Sequence, residues 1–156
     1  MAVDHPSHED YISRCLDLAR QATRAGNGPF GSLILRDGRV VGESYNQVQT
    51  QLDIAAHGEI AAIRVASQAL GTLDLGGATL YTNAEPCYMC SYAIRAARLS
   101  RVVIGARSPN SGGLTSAYPI LIDPNVISWA PPPEVVKDVL LEECEALLRE
   151  FGFGHI

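Results

Sequence analysis

Apolar positions recur along the chain with two periods. From Ser7, a plausible N-cap, Tyr11, Cys15, Leu18, Ala19 and Ala22 fall at helical spacing and predict a helix over 8–25. "AGNGPFG" breaks it, and "SLILR" and "VVGESY" read as strands joined by an Asp-Gly turn. "QVQTQLD" reads as a loop, and a helix follows from about His57 to Ala69. "ATLYTN" is a strand, Pro86 opens a helix running to about Ala97, and "RVVIG" is a strand followed by the loop "SPNSGG". The stretch 114–125 is ambiguous, "VISWA" reads as a short strand, "PPP" as a stiff connector, and 134–150 as a last helix with Val135, Val139, Leu140, Cys144, Leu147 and Leu148 on one face. The order α-β-β-α-β-α-β-β-α implies one α/β domain, residues 1–156, with a sheet covered by helices on both faces.

Composition is that of a globular protein: 47% hydrophobic and 19% charged residues in 156. No apolar run reaches the length of a membrane span, and "MAVDHPSHEDYIS" lacks the basic-then-apolar order of a secretory signal. The expected location is therefore the cytoplasm, where four cysteines serve as metal ligands, catalytic groups or buried thiols more readily than as disulfides. The net charge of −5 is unlike that of a dedicated nucleic-acid binder. It is unevenly spread. Pro86 to Ile122 holds Arg95, Arg98, Arg101 and Arg107 and no acid, while Glu134 to Glu150 holds six acids against Lys137 and Arg149.

The candidate chemistry sits in two short stretches. In "AEPCYMCSYA", Cys87 and Cys90 are three apart at a helix start, so both thiols face one way, and a soft sulfur pair selects zinc or an iron–sulfur centre. No second pair lies nearby, and Cys15 and Cys144 sit on apolar helix faces as core thiols. A further ligand must be nitrogen or oxygen. His5, His8 and His155 lie in termini expected to fray, which leaves His57, in "AAHGEIAAI", also at a helix start. Two helix N-termini aimed at one point would help keep the thiolates charged. One histidine and two cysteines leave a fourth position open, as in catalytic zinc sites. Zinc with two thiolates sums to no net charge and acidifies water less than a tris-histidine site, so a base should stand beside it. Glu59 is placed for that.

His57-Gly58-Glu59 followed by Pro86-Cys87-Tyr88-Met89-Cys90 resembles the H-x-E…P-C-x-x-C signature of the zinc-dependent cytidine deaminase-like superfamily, over about residues 9–150. The resemblance implies a three-layer αβα sandwich with a central five-stranded mixed sheet and one Zn²⁺ per chain. It implies hydrolytic deamination, in which water activated at the metal adds to a ring carbon bearing an amino group while Glu59 moves the protons. It further implies that Asn46, eleven residues before His57, holds the substrate base, that Phe30 in "GPFG" walls the pocket, and that Ala84 and Glu85 bring backbone to the base. A homodimer with helices across the interface is also implied. Phe151 and Phe153 of "FGFGHI" are candidates for a lid.

The substrate signals are mixed. "TLYTNAEPCYMC", "RVVIGARSPNSGG" and "LLEECEALLREF" resemble bacterial tRNA adenosine deaminases, "GPFG" resembles guanine deaminases, and "HGEI", with Gly58 where most relatives carry alanine, resembles fungal cytosine deaminase. An anticodon stem-loop needs several Lys and Arg contacts to phosphate. The acidic last helix and the absence of a basic extension favour a small-molecule heterocyclic base such as guanine, cytosine, adenine or an aminotriazine; tRNA is the alternative. A non-catalytic zinc-binding scaffold is the alternative of another class, against which Glu59 speaks.

Overall fold

The computed structural model describes residues 4–156. Its elements are α1 (His8–Arg24), β1 (Gly31–Arg36), β2 (Arg39–Tyr45), α2 (Val48–Gln51), α3 (Gly58–Leu70), β3 (Thr79–Ala84), α4 (Tyr88–Ala96), β4 (Arg101–Ala106), β5 (Glu134–Val136) and α5 (Leu141–Glu150). The sheet order is β2-β1-β3-β4-β5; β1 runs antiparallel to both neighbours, while β3, β4 and β5 are parallel. This is the expected mixed five-stranded α/β sheet.

Strand alternation divides the core into two layers. Leu33, Tyr81 and Val103 pack with Ile12, Cys15 and Ala19 of α1 and Cys144, Leu147 and Leu148 of α5. Ile34, Leu80, Val102 and Ile104 pack with Ala62 and Ala66 of α3 and Ile94 of α4. Cys15 and Cys144 are fully buried, as their helix faces predict. α1 opens with a capping box: Ser7 Oγ accepts from Asp10 N–H at 3.2 Å and Ser7 N–H donates to Asp10 Oδ2 at 2.7 Å. His8 does not fray; it is the first residue of α1, and its Nδ1 lies 2.9 Å from the Tyr81 hydroxyl. The β1–β2 turn places Asp37 and Gly38 at φ 50° and 74°, the positive values such a hairpin needs. No helix among the described residues is long and apolar enough to cross a membrane.

Three expectations are corrected. "VISWA" is not a strand; the fifth strand is Glu134–Val136, the start of the segment read as helix, and α5 begins only at Leu141. Three prolines at 131–133 hold φ near the extended region and deliver β-branched Val135 and Val136 straight onto the edge of β4. Val135 and Val136 then pack on opposite faces, which is a strand's signature. Asp138 and Leu140, at φ 64° and 50°, turn the chain before α5. The loop "QVQTQLD" contains the short helix α2. Pro86 lies two residues before α4, with Cys87 between them as the N-cap.

The basic stretch is occupied within the chain. Arg95, 1% exposed, donates Nη1 to the carbonyls of Ile120 (2.9 Å) and Asp123 and Nη2 to that of Ala130 (3.4 Å), tying down the irregular segment after β4. Arg101 pairs with Glu134 at 3.1 Å and Arg107 with Asp138 at 2.7 Å, and Arg98 stands 5.3 Å over the Trp129 ring.

Candidate active site

The site lies at the C-terminal ends of β3 and β4, where ligands enter open α/β sheets. His57 is the N-cap of α3 and Cys87 the N-cap of α4, and neither side chain caps its own helix. Both extended N-cap backbones turn their side chains toward one point instead. Cys90, in the first turn of α4, completes the group. His57 Nδ1 is 3.5 Å from each sulfur, and the three donor atoms all lie within 4.8 Å of one another.

These distances fit zinc. Ordinary Zn–S and Zn–N bonds at a tetrahedral angle set S···N apart by about 3.6 Å. The donor chemistry fits as well. Hydrogen bonds from Cys90 and His57 pull the Cys87 thiol down to about 4, against the cost of burial. The same bond and its burial push Cys90 up, so Cys87 carries the first thiolate of the pair. The bond with Cys87 raises His57 in turn.

Glu59, 5% exposed, stands beside this group. Its Oε2 is 3.5 Å from Cys90 Sγ and its Oε1 accepts from Thr82 Oγ1 at 3.4 Å. Burial raises its carboxyl above the ordinary range.

A cavity of about 290 Å³ opens over His57, Glu59 and Cys87. Phe30, Val48, Phe153 and Ile156 give it an apolar wall, and Asn46, Gln49, Ser108 and Ser111 add neutral polar groups. Phe153 meets Phe30 edge to face at 5.2 Å between centroids. Asn46 is anchored through its backbone N–H to Phe30 O (2.9 Å), and its Oδ1 accepts from Val48 N–H (3.0 Å). Its Nδ2 makes no hydrogen bond among the described residues.

Not every expected contact is there. Ala84 does not line the cavity; it is a buried partner of Ala106 whose carbonyl accepts from Thr82 Oγ1 at 3.0 Å. Glu85 reaches the lining, but its carboxylate is taken by Thr115 Oγ1 (2.8 Å), Thr115 N–H (3.1 Å) and Leu114 N–H (3.4 Å). Gly112 must lack a side chain for this, since a Cβ there would fall 1.6 Å from Glu85 Oε2. Phe151 is exposed at the end of α5, so only Phe153 of the proposed lid pair faces the cavity. Gly58 does not face it either. A Cβ there would point at Ser32 Oγ, Asn46 N and Phe30 O, each 3.5 Å away.

Ser108, Ser111, Val48, Gln49 and Ile156 escaped the sequence reading. The two serines follow β4, and the rule that sites gather past parallel strand ends points to them. Nothing in "QVQT" signals that a distant residue, Asn27, pins it through Gln49 N–H (3.0 Å) and Thr50 N–H (3.1 Å).

Three protein donors beside a buried carboxylate and a cavity define a zinc hydrolase site on an α/β sheet. Residues 5–106 match the cytidine and deoxycytidylate deaminase zinc-binding region, and the chain belongs to that family of zinc-dependent deaminases. It is 34% identical over 146 residues to a tRNA-specific adenosine deaminase of Aquifex aeolicus, covering 92% of each chain. It is 43% identical over 101 residues to a guanine deaminase of Bacillus subtilis, covering 64% of this chain and 65% of that one. A structure solved in a study of A-to-I editing by tRNA:A34 deaminases superposes with a TM-score of 0.83 at 36% identity, covering 88% of this chain and 98% of that one.

Proposed function

We propose that this chain is a single-domain deaminase that releases ammonia from a free, neutral heterocyclic base. The carrying observation is the C-terminal tail. Phe153 and Ile156 line the cavity above Glu59, and Asn110 Nδ2 donates to the His155 carbonyl, which holds the tail there. A cavity whose wall includes the tail suits a small planar ring better than a polymer. Charge supports the same reading. Among the described residues, the lining holds one ionisable side chain outside the metal group and Glu59, that of Glu85, and its carboxylate is engaged. The four arginines of the basic stretch are engaged within the chain as well.

Zinc, held by His57, Cys87 and Cys90, supplies a Lewis acid and an acidified water. The protein supplies the rest. Phe30 and Phe153, packed edge to face, give the ring one apolar wall, and Asn46 Nδ2 donates to a ring or exocyclic acceptor. Glu59 takes one proton from the attacking water and delivers it to the ring nitrogen, then takes the second from the hydroxyl added to the ring carbon and gives it to the departing amine. Water and an amino-heterocycle become a carbonyl heterocycle and ammonia.

The tRNA reading has its own support: relatives bearing that name match over nine-tenths of the chain. The two readings separate in one assay. Zinc-loaded enzyme is offered guanine, cytosine, adenine and aminotriazines with ammonia measured, and an anticodon stem-loop with inosine measured. Ammonia from a free base supports the proposal; inosine alone overturns it. We also propose a homodimer through the outer side of α4, where Met89 and Tyr92 are exposed and Tyr88 meets the exposed Tyr118 edge to face. Light scattering that gives a monomer mass at micromolar concentration would reject it.

A further inference from the structure

We infer that Asn83 is a positioning residue for substrate binding, acting through Phe30. The inference rests on the reading of the cavity as a base site. Asn83 lies on β3, is fully buried, and by strand alternation shares the face of Tyr81, which packs in the layer with α1 and α5. Polar groups in such a place are retained where both ends are hydrogen-bonded. Its Oδ1 accepts from Gly31 N–H at 2.8 Å and its Nδ2 donates to Pro29 O at 2.9 Å. These two backbone groups flank Phe30.

The placement has a structural reason. The β1–β3 ladder ends at Ser32 opposite Thr82, and there β1 parts from β3 while Gly31 stays paired with Tyr45 of β2. Gly31 and Pro29 would otherwise leave a buried donor and acceptor without partners. The Asn83 amide offers one acceptor and one donor side by side and continues the ladder in place of a strand. From the other side α1 presses on the same segment: a Cβ on Gly31 would fall 2.3 Å from Cys15 O and 2.7 Å from Ala19 N. The segment is thus wedged between α1 and Asn83. Phe30 inherits one backbone position, with its ring in the cavity wall and its carbonyl holding Asn46 N–H at 2.9 Å. Two of the groups assigned to the substrate therefore depend on one amide that touches neither substrate nor metal.

The test uses zinc-loaded full-length enzyme as parent, Asn83→Ala, Phe30→Ala and the double variant. The substrate is whichever of guanine, cytosine and adenine the parent deaminates fastest, and zinc content is measured alongside. A positioning role predicts KM raised about 5–20-fold in Asn83→Ala, kcat within about twofold and zinc unchanged. The double variant should be no worse than Phe30→Ala within about twofold, because both act on one contact. A fall in kcat at unchanged KM, or effects that multiply, would overturn the inference. If Asn83→Ala does not fold, Asn83→Ser carries the same test. A substrate-free arm follows amide exchange of the segment 26–35, expected about tenfold or more faster in Asn83→Ser while α5 is unchanged. Unchanged exchange would overturn the inference on its own. A parent that deaminates no base defeats the free-base proposal, and amide exchange then decides the role of Asn83 alone.

Discussion

His57 and Cys87 hold the same position in two different helices: each is an N-cap, and their donor atoms stand 3.5 Å apart. An N-cap usually turns its side chain back to bond its own helix. Here both side chains turn outward, so each helix delivers a ligand from its positive end, where a thiolate is favoured. Glu59 belongs to the same first turn as the His57 cap but bonds Thr82 and Cys90 instead. Metal holding and proton transfer should therefore separate on mutation. Cys87→Ser and His57→Ala should lose zinc as purified. Glu59→Gln should keep one zinc per chain and lose about 10²–10⁴-fold in kcat. Full activity in Glu59→Gln would remove the proton-transfer role.

The tail offers a second separation. Phe153 faces the cavity and stacks on Phe30, whereas Phe151 is exposed. Phe153→Ala should raise KM for a free base by about 2–10-fold, the worth of one aromatic pair. Phe151→Ala should leave it unchanged. Equal effects would show that tail order, not the ring contact, governs binding.

Much of this was readable from residues alone, and the pattern of what was not is informative. The metal group and Glu59 were legible because their spacing within two short stretches carries the chemistry. β1 and β2 were legible because an Asp-Gly turn joins two runs of apolar and polar residues. The last helix was misplaced because Val135 and Val139 satisfy a helical period while Val135 and Val136 equally suit an edge strand; the three prolines before them decided the matter. Asn83 and Arg95 were not legible as structural pins. Their partners are distant in sequence: Pro29 and Gly31 for one, and carbonyls 25 to 35 residues away for the other. No local pattern encodes such pairings.

Gly58 invites a simple check. Its departure from the alanine of the resembled signature points toward a free-base substrate, yet its Cβ direction leads to Ser32 Oγ and the backbone of Asn46 and Phe30, and Gly58 does not line the cavity. A methyl at 3.5 Å from three atoms sits at ordinary contact distance. Gly58→Ala should leave the substrate profile unchanged and alter stability by at most about 1 kcal/mol, favourably if helix propensity dominates. A changed ratio of turnover between guanine and cytosine would restore a role for this position in specificity.

Arg95 should be costly to mutate. Its guanidinium is buried, with carbonyls rather than a carboxylate as partners. Truncation leaves the carbonyls of Ile120, Asp123 and Ala130 short of a donor, the last of them buried, and opens a cavity. Arg95→Ala should cost about 3 kcal/mol or more. Arg95→Lys should recover little of this, since an ammonium cannot span the separated acceptors as the planar fork does. Denaturant unfolding of the zinc-loaded variants measures both, and a loss under 1 kcal/mol in Arg95→Ala would show that the segment 120–130 is held by other contacts.

Alkaline stability follows from the two core thiols. Burial raises Cys15 well above its ordinary value near 9 and pushes Cys144 up to about 12. A thiol held neutral makes the folded chain the weaker acid. Below about pH 9 both states keep the proton and the full stability is present. As pH rises from about 9 toward 12 the unfolded chain releases protons that the folded chain retains, and stability falls by up to about 1.4 kcal/mol per unit for each thiol. The Tm of zinc-loaded protein should thus be nearly flat from pH 7 to 8.5 and decline above 9. Cys144→Ala should lower Tm at neutral pH through its cavity yet flatten the alkaline decline. An alkaline slope identical to that of the parent would show that the thiol is not the group whose titration weakens the fold.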